Sequence, residues 1–69
     1  MKEINKRIRH YRRIRNFSQT DIAERLGLKC STYSQMERKG DITCERLIRL
    51  SEILRVDATT LLYGEGDYP

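Results

Sequence analysis

Cysteine and histidine are scarce in this chain. Its 69 residues hold two cysteines, Cys30 and Cys44, and one histidine, His10. Two thiols cannot build a disulfide framework, and in a reducing compartment both are expected to be free. Their spacing fits no zinc site, and His10 is remote from both in sequence, so no metal is expected. Long apolar runs are missing too. No stretch approaches about 18 residues, which excludes a membrane-spanning helix, and there is no signal-peptide pattern. The expectation is a cytoplasmic protein with no membrane partner. No linker or low-complexity tract divides the sequence, so it reads as one domain over 1–64 with a loose tail over 65–69. Catalytic constellations are also absent: no carboxylate pair placed for a cleft, no Ser/His/Asp set, no phosphate-binding loop. Cys30 and His10 could form a thiol–imidazole pair on paper, but a helical domain this small offers little concavity for one. No enzyme activity and no cofactor are expected.

Charge is present and unevenly spread. The net charge is +4 with a pI near 9.4. Residues 1–15 carry Lys2, Lys6, Arg7, Arg9, Arg12, Arg13 and Arg15 against Glu3 alone, a net of +6, which leaves the other 54 residues at −2. A basic block favours a polyanion such as DNA, RNA or an anionic membrane. For any one of these residues, a solvated helix face is the competing reading.

The stretch Gln19–Arg38 holds the strongest pattern. Ile22 and Leu26 are four apart on one helix face, and Tyr33 and Met36 are three apart on another. Gly27 stands where the first helix must stop, a position that favours the left-handed backbone glycine adopts readily. Leu28 can plug the corner, and Ala23 is small where two helices must approach closely. Two short helices joined by a tight turn are the layout of a DNA-binding helix-turn-helix. The other face of the second helix carries Cys30, Ser31, Ser34 and Gln35, short or polar groups instead of a charged, solvated face.

The flanking segments predict three more helices. Ile4, Ile8 and Tyr11 make an amphipathic stripe over Lys2–Arg15, which Ile14 continues, with Asn16 as a left-handed stop and Phe17 turning into the core. Ser18 is an N-cap for the next helix, and Asp21 completes a weaker capping box. The helix from Cys30 to Arg38 begins after Lys29, a poor cap, and Ser31 could cap instead by starting it one or two residues late. Thr43 caps a helix with Leu47, Leu50 and Leu54 as its core stripe, flanked by Ile48 and Ile53. Val56 leads into a short helix from Ala58 to Tyr63, stopped by Gly64. The fold class is all-α: a compact five-helix domain with the helix-turn-helix at its second and third helices.

Over nearly its whole length the chain resembles the Cro and lambda-repressor family of bacterial and phage regulators. The resemblance rests on Ser18-Gln19, Ala23, Gly27, the five apolar positions, Glu37 and the ending Val56-Asp57-x-x-x-Leu61-Leu62. Two features depart from the family pattern: Lys29 replaces the usual Ser or Thr cap, and the loop after Arg38 is about one residue shorter. The resemblance implies base reading from positions matching Cys30, Ser31 and Gln35, with Ser34 adjacent. It implies that Gln19 clamps the DNA backbone and that Arg12 pairs internally with Glu37. A mostly buried pair of that kind makes sense together, whereas either charge alone would be costly.

Residue chemistry adds to this. An α-helix fits the major groove, where each base pair shows a distinct set of donors and acceptors. The Gln35 amide can pair bidentately with adenine. Ser31, Thr32 and Ser34 can donate or accept, and Cys30 is small enough for close approach. Arg38 and Lys39, just past the reading helix, are the cationic candidates for phosphate clamps. Lys29 in the turn could also reach a phosphate, and helix N-terminal amides beside Gln19 add a positive dipole end. The other arginines of the first helix are expected to contribute only long-range field.

A single motif covers too few base pairs to specify one genomic site, so a homodimer on an inverted-repeat operator is expected, formed either in solution or only on DNA. Leu61 and Leu62 are adjacent and cannot both enter one small core, so at least one is a candidate for a dimer face, which is assigned to Leu61, Leu62 and Tyr63 with Ile42 or Thr60 beside them. The competing reading puts one leucine in the core and leaves the other exposed. The expected function is a sequence-specific double-stranded DNA-binding regulator, a repressor. The rival is an antitoxin-type module that binds a toxin or other protein partner as well as its operator. Small phage repressors, restriction controllers and the N-terminal domains of longer regulators share the pattern, and the sequence leaves these open.

Overall fold

The computed structural model describes residues 2–64, with side chains from residue 4 onward. Its elements are α1 (Lys2–Ile14), α2 (Gln19–Leu26), α3 (Cys30–Lys39), α4 (Cys44–Leu54) and α5 (Ala58–Tyr63). The tail expected over 65–69 lies outside the described residues. α2 packs against α3 and α4, α1 against α3 and α5, and α4 against α5. No helix among the described residues is long and apolar enough to cross a membrane.

Local chemistry sets most helix ends. Ser18 and Asp21 form a reciprocal capping box, with Ser18 Oγ accepting from the Asp21 N–H at 3.0 Å and Asp21 Oδ2 accepting from the Ser18 N–H at 2.9 Å. These bonds hold the Asp21 carboxyl below its usual range. Gly27 closes α2 in the left-handed region at φ 72°, and Asn16 turns the chain after α1 at φ 62°. Thr43 Oγ1 accepts from the Arg46 N–H at the start of α4. α3 is the exception. Lys29 occupies its cap position with an extended backbone and no side-chain bond, the helix begins at Cys30, and Ser31 lies inside it. The later start at Ser31 is thus corrected: the Lys29 backbone alone makes the entry, and the Tyr33 N–H bonds its carbonyl at 3.0 Å.

The core joins Ile4, Ile8 and Tyr11 of α1 to Ile22 and Ala23, Tyr33 and Met36, Leu47, Leu50 and Leu54, and Leu61. Leu26, Leu28 and Phe17 pack against its edge. Three expectations change here. Ile14 is 51% exposed and does not continue the buried stripe. At about 100° per residue the line through Ile4, Ile8 and Tyr11 next meets position 15, not 14. Ile48 is likewise exposed, whereas Ile53 is half-buried. Leu61, assigned above to a dimer face, is fully enclosed in the core.

Helix C-termini are held from a distance. Arg7 donates to the carbonyls of Leu61 and Leu62, Arg15 to those of Leu54 and Arg55, Arg49 to that of Arg25, and Asn5 to that of Arg38. The last turn of a helix leaves its carbonyls without intrahelical partners, and a guanidinium supplies both donors and favourable charge there. So Arg7 and Arg15 do more than add long-range field: they fasten α5 and α4 to α1.

Candidate nucleic-acid interface

α3 has two chemically distinct faces. Tyr33, Met36 and Glu37 point inward and are buried. Ser31, Gln35 and Arg38 follow one another at i, i+4 and i+7 on the outer face, with Thr32 and Lys39 beside them, and all five are exposed. Cys30 is exposed at the start of the helix, its Sγ 3.3 Å from Thr20 Oγ1 of α2. Ser34 is half-buried toward the same side. Lys29 before α3 and Arg38 and Lys39 at its end are exposed, so cations bracket a strip of short hydroxyls and one amide.

The orientation of that strip depends on Glu37. Its carboxylate is 1% exposed and accepts from Arg12 Nε at 3.0 Å, Arg12 Nη2 at 3.2 Å, Tyr33 Oη at 2.6 Å and Gln19 Nε2 at 3.0 Å. Arg9 Nε stands 3.7 Å away. Arg12 also donates from Nη1 to the Phe17 carbonyl. Burial alone would push the Glu37 carboxyl up, but the bonds from Arg12, Tyr33 and Gln19 outweigh it and hold it below its usual range. The Tyr33 hydroxyl is pushed far above its usual range, first by burial and then by its bond to the carboxylate. One side chain of α3 is thereby joined to α1 and to the first residue of α2.

Gln19 stands at the start of α2 as expected for a backbone clamp, but its amide nitrogen is turned inward to Glu37 and its side chain is half-buried. Of the residues assigned to a dimer face, Ile42, Thr60 and Leu62 are half-buried and Tyr63 is 66% exposed. With Leu61 enclosed, these four are the residues of the assigned dimer face that retain surface.

Sequence reasoning missed Arg46. It reaches from the first turn of α4 to α3, with Nη1 3.7 Å from Met36 Sδ, and helps line a small notch with Thr32, Gln35, Lys39 and Asp41. A signal was available: a cation in the first turn of a helix opposes the helix dipole, so something else must favour it there. Both cysteines are free thiols, and among the described residues no group of three or more His, Cys, Asp or Glu side chains could hold a metal ion.

A tight turn at a left-handed Gly27, a capped supporting helix and an exposed polar helix between cations define the helix-turn-helix class of DNA-binding domain. The profile of the Helix-turn-helix domain family matches residues 5–67, and the chain belongs to that family, with the five-helix architecture of its lambda-repressor-like members. No curated protein and no solved structure matches the chain.

Proposed function

We propose that this protein is a sequence-specific transcriptional repressor that reads duplex DNA through the major groove with α3. The observation that carries this is the outer face of α3, where Ser31, Thr32 and Gln35 are exposed between Lys29 at one end and Arg38 and Lys39 at the other. Side chains of this length let a helix approach base edges, and the cations stand where phosphates flank the groove. Gln35 is the principal base reader, with Ser31, Thr32, Ser34 and Cys30 adding contacts; Arg12 and Glu37 serve as a structural ion pair. Gln19 contributes to the backbone clamp from the start of α2. Two copies, meeting through Leu62, Tyr63, Thr60 and Ile42, bind an inverted repeat, and repression follows where that repeat overlaps a promoter. The setting is cytoplasmic.

Selection of bound sequences from random duplex DNA tests the reading. It should yield an inverted repeat, and Gln35→Ala should relax preference at one base pair per half-site at a cost of about 1–3 kcal/mol. Binding by a dimer that contacts roughly 6–10 phosphates should weaken about 10³–10⁵-fold between about 50 and 200 mM salt. No enriched sequence, or affinity that is flat across that range, would overturn the reading in favour of a module that binds protein.

A further inference from the structure

We infer that a second surface, at the C-terminal ends of α1 and α4, docks an acidic segment of a partner protein while α3 stays free. An open groove of about 640 Å³ lies there, lined by Arg15, Phe17, Arg25, Glu52, Ile53 and Arg55. It is several times larger than the notch of about 170 Å³ beside α3. None of the residues assigned to DNA lines it. Phe17 and Ile53 are half-buried and give it an apolar floor, and the Arg25 guanidinium lies over the Phe17 ring at 4.6 Å from the centroid.

Charge selects the occupant. Arg15, Arg25 and Arg55 are all exposed, and none forms an ion pair among the described residues, where the carboxylate that does so is Glu37, deep in the core. Glu52 shares the groove and Asp21 attracts Arg25 along α2, but three guanidiniums against these two carboxylates leave an excess of positive charge. Arg15 is fixed by its bonds to the Leu54 and Arg55 carbonyls, and Arg25 by its ring contact, which lowers the ordering cost of binding. Arg55 adds an independent observation. It is the C-cap of α4 at φ 58°, a left-handed backbone that disfavours any residue with a Cβ and suits glycine. A cation stands there against local preference, with its side chain on the groove. Such conflicts between local and global choice cluster at functional positions. The matching ligand is a peptide segment with two or more carboxylates around an aromatic or aliphatic side chain.

The test begins by panning short random peptides displayed on phage against the whole chain, then titrates a synthetic copy of the enriched peptide into the isotope-labelled protein. Acidic sequences with an apolar residue should be enriched, and amide shifts should centre on Phe17, Arg25, Ile53 and Arg55. Arg25→Gln and Arg55→Gly should each weaken the peptide by about fivefold. Arg55→Gly should also raise Tm, because it relieves the left-handed backbone, which separates loss of binding from loss of fold. Affinity for duplex DNA should stay unchanged in both variants. Enrichment of non-acidic peptides, shifts centred on α3, unchanged peptide affinity in the two variants, or a parallel loss of DNA affinity would each overturn the proposal. The peptide measurements do not depend on DNA binding, so a failed DNA reading would leave this result standing.

Discussion

A buried carboxylate with four hydrogen bonds from three residues is costly to disturb. Glu37→Ala would leave the Arg12 guanidinium buried and unpaired, a loss of about 3–5 kcal/mol. Glu24→Ala, at an exposed position of α2, should change stability by under about 0.5 kcal/mol. Thermal unfolding of the two variants checks the contrast, and equal Tm values would exclude a structural role for the pair. The depressed pKa of Glu37 has a pH signature of known sign. In the unfolded chain a glutamate takes up its proton near pH 4.3, while the folded protein resists until the pH is lower. Its contribution is therefore complete at neutral pH and is lost as the pH falls below about 4.3. Denaturant midpoints from pH 7 to pH 3 should decline more steeply for the wild type than for Glu37→Gln. The residue types of this pair were legible because the family pattern carries them. Gln19 and Tyr33 as further donors were not, since their meeting at Glu37 depends on how α2 and α3 pack.

At the level of elements, local signals were strong and distant ones were silent. Ser18 with Asp21, Gly27, Thr43 and Gly64 act through their own neighbours in sequence, and the helices they bound stand within a residue of expectation. The fastening of α5 was not legible, because Arg7 reaches carbonyls 54 and 55 residues away. The same contact accounts for Leu61: with its carbonyl held by Arg7, its side chain enters the core and Leu62 is left at the edge. Arg7→Ala should release α5 first, and amide exchange of Leu61 to Gly64 should accelerate more than that of Leu50. Lys29 gives an opposite case. Lys29→Ser would provide the cap α3 lacks, worth about 1 kcal/mol. It should also weaken DNA and lower the salt slope by about 1 if Lys29 meets a phosphate. A rise in Tm with undiminished DNA affinity would remove Lys29 from the interface.

For the whole molecule, the exposed polar face of α3 was legible and the neighbours that the fold brings beside it were not. The polar strip of α3 followed from helical spacing alone, whereas Arg46 belongs to a different helix and enters only through the fold. If it flanks the groove, Arg46→Ala should weaken specific and non-specific duplexes alike. A loss confined to specific sites would make it a base reader. Assembly is the second question at this scale. Tyr63→Asp should lower affinity for an inverted repeat far more than for a single half-site. In the wild type the half-site centres should lie about 10–10.5 base pairs apart, or a multiple of that. A one-to-one complex on an asymmetric site would rule out the two-fold arrangement.

The division of α3 into two faces has a consequence for descent. Tyr33, Met36 and Glu37 are buried and carry the packing of that helix, while Ser31, Thr32 and Gln35 are exposed. Mutation at the outer three positions is thus nearly free of stability cost, within about 0.5 kcal/mol for ordinary polar replacements. If these three positions read bases as proposed, a duplicated copy could drift to a new operator without passing through an unfolded ancestor. Copies with diverged outer faces could then coexist in one cell, each silent at the other's site, on an unchanged scaffold.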